Sequence, residues 1–407
     1  INQADKNNLK ELYIFLFKRN DIDHSDIFYS AKFFLLTQDD HEQLKLAINS
    51  SSLLLKNKII KNLLKEELFL LMLQKSIIAD KFLEQILTKL RYEILFCSFN
   101  SDFNLIQNIF EFITSLAEQC FLNEYIFFES KKETNDVNQL KESLENDETI
   151  NELKIALLGC YIPLYRYKNI VSRLINYKSK NMLFNDLINM QAKEPLEERK
   201  LATSIKKMGQ ISDDVSKKVR NQYEEYPYPR WRYTYANSRS NFLTVLNNQI
   251  APNKVKINNK FDNPDVLIAG CGTGSHIFLA QDYLNANMLA IDLSLSSLGY
   301  AKRKVIEKGL KNVQFLHADI LQLKALNRKF DIIECLGVLH HMRDPLNGLS
   351  ILLNLLKPHG LLRLGLYSSI ARQHVIKARQ FIKENKFENT TEDIRNCRMA
   401  INDQADD

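Results

Sequence analysis

Glycine is scarce over the first 260 residues of this chain, and proline is absent from the first 162. Only Gly159 and Gly209 precede residue 260, and no proline precedes Pro163, although the 407 residues contain 11 glycines and 8 prolines. A stretch with so few breakers argues against many short strands and for helices. The six cysteines (Cys97, Cys120, Cys160, Cys271, Cys335, Cys397) form no C-x-x-C pair. That spacing predicts no zinc site or other metal centre, and buried, reduced thiols in a cytoplasmic protein. No apolar run reaches about 18 residues, so no transmembrane helix and no membrane partner are predicted. Neither sign of charge dominates: 55 Lys and Arg face 49 Asp and Glu, for a net charge of +6 and a pI near 8.8. Acids interleave with the lysines along the helices, so this mild excess reads as solvated helix faces and neither demands nor excludes nucleic acid. The chain opens on Ile1 and shows no alternating β-branched run after Tyr367, which reads as a fragment or a variant sheet end.

What is present divides into two parts. Over 79–95, Phe82, Leu83, Ile86, Leu87, Leu90 and Ile94 recur at i, i+3, i+4 spacing, the mark of a helix with one buried face. A second such segment lies within 103–128, with a polar break expected at Glu118 and Gln119. Residues 1–200 are accordingly assigned to an all-helical domain that recruits a protein partner or dimerises. A linker follows over 201–250, with a charged helical stretch at 197–220. Then comes Asn221-Gln-Tyr-Glu-Glu-Tyr-Pro-Tyr-Pro-Arg-Trp231, holding the only tryptophan, three tyrosines and two prolines. Pro227 and Pro229 end the helix and extend the chain.

The richest segment is Asp265-Val-Leu-Ile-Ala-Gly-Cys-Gly-Thr-Gly-Ser275. Val266 to Ala269 read as a buried parallel strand, after which Gly270, Gly272 and Gly274 turn the chain into a helix starting near Ser275. Side chains at these positions would keep the backbone away from a ligand. A second apolar run ends at Asp292, where a carboxylate at a strand tip can accept both hydroxyl protons of a ribose. A nucleoside-bearing cofactor follows. The third glycine falls one residue too early for the dinucleotide pattern G-x-G-x-x-G/A.

G-x-G-x-G with a downstream acid resembles class I S-adenosylmethionine-dependent methyltransferases, and the later segments arrive in that family's order. Asn312-Val-Gln-Phe-Leu-His-Ala-Asp319-Ile320 resembles the third strand with its adenine-binding acid. Phe330-Asp-Ile-Ile-Glu-Cys-Leu336 resembles the fourth, running into Gly337-Val-Leu-His340-His341-Met-Arg-Asp-Pro345. An apolar helix at 349–356 and a fifth strand at 361–367 follow, then helices at 370–385 and 391–401. The resemblance spans roughly residues 220–405, and 251–407 is taken as the methyltransferase domain. It implies an α/β fold, a doubly wound Rossmann-like sheet, behind an N-terminal all-α domain. It also resembles bacterial proteins that join helical, often tetratricopeptide-type, regions to this domain.

The resemblance implies S-adenosyl-L-methionine as cofactor, held by Gly270, Cys271, Gly272 and Gly274, by Asp292 with Leu293, by Asp319 with Ile320, and by Leu336. Tyr223 and Arg230 of the aromatic linker are expected to close over it, Arg230 on the methionine carboxylate; the competing reading makes the linker a staple. His340 and His341 are the candidate general bases, since imidazole titrates near neutrality. Cys335 is followed by Leu336, so the Pro-Cys nucleophile of cytosine-C5 enzymes is missing, as is the D/N-P-P-Y/F signature. Acceptors left open are a small molecule, a modified nucleoside or a protein side chain. Two other functions stand beside methyl transfer. One is a methyltransferase fold that only binds; the other is a nicotinamide oxidoreductase, which the glycine spacing and the Asp319 segment disfavour.

Overall fold

The computed structural model describes residues 3–50, 52–100, 104–233, 240–255, 261–280 and 283–404. The linker positions 234–239 therefore lie outside the described residues. By packing, the chain divides into two compact units. One comprises Ile1–Glu194, Arg232–Tyr235 and Val375–Asp407, and the other Pro195–Trp231 and Ala236–His374. This division differs from the sequence boundaries at both ends of the sheet region.

The first unit is helical. Its helix Lys81–Ser98 starts at Asp80, whose side chain accepts the Leu83 N–H at 2.9 Å, and it buries Phe82, Leu83, Ile86, Leu87, Leu90 and Ile94 as the spacing predicts. The expected break at Glu118 and Gln119 does not occur: the helix Phe110–Leu122 runs through both. Gln119 is fully buried because its amide is matched to backbone. It donates to the Leu73 and Ser76 carbonyls (2.8 and 2.6 Å) and accepts from the Ile78 N–H at 3.0 Å. Glu118 is likewise buried against the Arg232 guanidinium at 3.0 Å, and Arg232 also pairs with Asp186 at 2.9 Å. Matching to backbone makes the burial of Gln119 cheap, whereas Glu118 keeps Oε1 without a partner and burial pushes its pKa up to about 8 despite Arg232. The C-terminal helix Thr391–Gln404 joins this unit through Arg395 on Glu129 (2.8 Å) and Arg398 on Glu84 (2.6 Å).

The second unit carries a parallel sheet of β1 (Lys206–Lys207), β2 (Asp265–Ala269), β3 (Asn287–Asp292), β4 (Val313–His317), β5 (Phe330–Leu336) and β6 (Leu356–Gly365), ordered β1-β4-β3-β2-β5-β6. In β2, Val266 and Ile268 enter the core on one face, and Leu267 and Ala269 the core on the other. Burial on both faces explains why these strands read as unbroken apolar runs. The chain steps outward from β2 to β3 and β4, then returns to the other side of β2 for β5 and β6. Ligands in such sheets bind at this reversal, beyond the carboxyl ends of the strands.

Three details depart from expectation. The charged stretch at 197–220 is two helices, Glu194–Thr203 and Asp214–Glu225, separated by the edge strand β1. The last strand begins at Leu356 rather than 361, with a register irregularity opposite Phe330 to Ile332. Lys357 reaches Asp265 and Asp331 there, both at 2.8 Å. Among the described residues no strand follows Gly365.

Candidate functional site

At the reversal point lies a cavity of about 460 Å³. Its floor is the glycine loop, tied down by backbone bonds: the N–H groups of Gly270 and Cys271 both donate to the Ile291 carbonyl at 2.9 Å. Gly272 has φ +52°, and a Cβ there would meet nothing within 4 Å, so it would project into open space. Gly274 has φ +94°, and a Cβ there would lie 2.8 Å from the Ala301 Cβ. One glycine keeps room beside the loop; the other lets the loop sit against Ala301 of the helix Leu295–Glu307.

Asp292 stands at the tip of β3. Its Oδ2 accepts the Gly272 N–H at 2.8 Å and its Oδ1 accepts the Ser294 N–H at 2.9 Å. Each oxygen keeps a lone pair for a further donor. Burial raises the Asp292 pKa above its usual range, while the Ser294 and Gly272 N–H groups and His317 oppose the rise. The His317 ring contacts the Leu293 carbonyl at 2.8 Å, which fixes the backbone just past Asp292. Asp319 is buried, and its Oδ1 accepts the Leu321 N–H at 2.9 Å, capping the short turn Ile320–Ala325.

The cavity brings together Gly270, Cys271, Gly272, Asp292, Leu293, Asp319, Ile320, Leu336, Tyr223 and His341. It does not include Gly274, which packs behind the loop, nor Arg230 or His340. Arg230 is 6% exposed. His340 stacks on Tyr367 with ring centroids 3.7 Å apart, and both its ring nitrogens are buried without a hydrogen-bond partner. Burial, His341 and Arg372 together hold its pKa below the usual value.

The aromatic linker has two roles side by side. Trp231 is a staple: its indole N–H donates to the Thr273 carbonyl at 3.1 Å, its carbonyl accepts from the Tyr300 hydroxyl, and its ring meets Phe278 edge-on at 4.9 Å. Thr273 in turn donates to the Pro229 carbonyl at 2.8 Å. Tyr223, Tyr228 and Pro229, in contrast, line the cavity.

Sequence reasoning missed two groups. Glu224 accepts the Leu295 and Ser296 N–H groups at 2.8 and 3.0 Å, capping the helix Leu295–Glu307 and fixing Tyr223 beside Asp292. His276, two residues after Gly274, also lines the cavity. Its place directly after the glycine loop is the sequence signal that marks it.

Residues 260–405 match the family model described as a methyltransferase domain. An uncharacterised protein of Synechococcus is 30% identical over 186 residues, which is 42% of this chain and 42% of that protein. A ubiquinone biosynthesis O-methyltransferase of Aromatoleum aromaticum is 33% identical over 23% of this chain and 40% of its own length. Among solved structures, an S-adenosylmethionine-dependent methyltransferase from Clostridium acetobutylicum is 31% identical with a TM-score of 0.23, covering 25% of this chain and 41% of that one. The chain thus spans less than half the length of these relatives. The family match leaves residues 1–259 uncovered, and over residues 260–405 the chain is similar to methyltransferase domains.

Proposed function

We propose that the protein transfers the methyl group of S-adenosyl-L-methionine to a nitrogen or oxygen acceptor bound in the same cavity. The observation that carries this reading is the pairing of Asp292 with the Gly272 N–H at 2.8 Å, which sets a carboxylate with two spare lone pairs beside a loop whose three glycines all sit at positive φ. The residues fit the cofactor. Asp292 suits the ribose diol and Asp319 the adenine amino group, with Leu293, Ile320 and Leu336 as apolar surface for the base. When bound, the cofactor supplies an electrophilic methyl carbon on a sulfonium. The chain's own contribution is to orient acceptor and methyl in line and to remove a proton.

Charge narrows the acceptor class. Among the described residues the cavity is lined by two carboxylates, Asp292 and Asp319, and by no lysine or arginine. That lining supports a neutral or cationic acceptor over one bearing phosphate. Small molecules and protein side chains fit this better than a nucleotide does. Arg230 does not line the cavity, so its proposed pairing with the methionine carboxylate draws no support from its placement.

Calorimetric titration with S-adenosylhomocysteine tests the reading. Saturable binding is expected; preferential binding of NADH would replace it with the oxidoreductase.

A further inference from the structure

Two imidazoles line the cavity, and their surroundings differ. The His341 ring lies 4.3 Å from His340 and edge-on to Tyr367, so ring packing engages it. His276 lies in the first turn of the helix Ser275–Ala280, directly after the glycine loop. Among the described residues neither of its ring nitrogens has a hydrogen-bond partner, and neither is a buried orphan like those of His340. A ring that lines the cavity with its nitrogens uncommitted is what a base for a bound acceptor requires.

The Arg363 charge acts on this ring, and Arg363 belongs to a polar cluster. Glu334 on β5 is 1% exposed, accepts from the Tyr283 hydroxyl, and sits 3.7 Å from the Arg363 guanidinium on β6. Glu334 Oε2 and Arg363 Nη1 are buried without hydrogen-bond partners. Burial and the Arg363 charge both lower the His276 pKa, which favours the neutral ring with its free lone pair. The other titratable groups around the cavity are Asp292, Asp319, Tyr223, Tyr228, Cys271, His341 and Tyr367.

We infer that His276 accepts the proton of the methyl acceptor, an inference that rests on the methyltransferase reading above. The acceptor nitrogen or oxygen forms a bond to the methyl carbon as the carbon–sulfur bond breaks, its electron pair staying on sulfur. The proton released from the acceptor passes to the unprotonated nitrogen of His276 and then to water.

The test places His276 beside the sulfonium without needing an acceptor. Histidine-labelled protein is titrated by NMR between pH 5 and 8 with saturating S-adenosylmethionine, and again with S-adenosylhomocysteine. The His276 signal is assigned from its absence in His276→Gln, or in His276→Asn should the first variant not fold. A positive sulfonium nearby should lower the His276 midpoint by on the order of 0.5 unit relative to the uncharged thioether. The exposed His374 should not move. Equal midpoints for His276 in the two complexes, or a shift confined to His341, would overturn the assignment and leave methyl transfer standing. Failure of both ligands to bind would remove both.

Discussion

At the scale of single residues, Asp292 and Gly272 act as one device. Asp292→Ala removes the acceptor for two ribose hydroxyls and should weaken S-adenosylhomocysteine binding by about 1–3 kcal/mol, read by calorimetry. Unchanged affinity would displace Asp292 from the proposed ribose site. Gly272→Val forces a β-branched residue to φ +52° and sends its side chain into open space beside the loop. Binding should be abolished while the far-UV helical signal persists. His24 offers a separate test in the helical unit. It is 2% exposed, stacked on Phe17 at 5.4 Å, and its pKa is lowered by burial and by Lys75. The unfolded chain takes up this proton first as the pH drops below about 6.5, so the group's contribution to stability is lost as the pH falls through its folded pKa. Denaturant titrations at pH 7 and pH 5.5 should show a smaller loss in His24→Phe than in the parent. Equal losses would contradict the assignment.

At the scale of elements, the strands that line the site were legible because they are buried on both faces. β2 and β3 appear in the sequence as apolar runs, ending at the glycine turn and at Asp292, and β5 as an apolar stretch interrupted by Asp331 and Glu334. β1 was not legible, since two lysines at a sheet edge carry no hydrophobic pattern; its place follows from the Met208 N–H donating to the His317 carbonyl at 3.0 Å. The polar residues Glu118 and Gln119 misled for the opposite reason: their partners are 40 or more residues away, beyond the reach of local periodicity. Glu224 belongs to the same class. Its carboxylate caps a helix whose first residue lies 71 positions further along the chain. Glu224→Ala should cost about 1–2 kcal/mol of stability by exposing two N–H groups at that helix start. Cofactor affinity should fall with it, because Tyr223 loses its anchor. Trp231→Ala should lower the melting temperature more, toward the lower end of about 3–5 kcal/mol since the ring is only half-buried. A larger effect on affinity than on stability would reverse the reading of Trp231 as a staple.

At the scale of the whole molecule, packing and family resemblance draw different borders. The family match begins at residue 260, but Pro195–Trp231 packs with the sheet, and Val375–Asp407 with the helices. Five cavity residues, Ser216, Val219, Tyr223, Tyr228 and Pro229, precede the matched region. A fragment of residues 195–374 should bind S-adenosylhomocysteine, whereas one of residues 260–407 should not, whichever of them is better expressed. The stretch that a family comparison outlines is therefore shorter than the heritable unit of binding. A gene fusion or recombination event cut at residue 260 would transmit β2 to β6 but lose β1 and these five cavity residues. A cut just before Pro195 would carry both together.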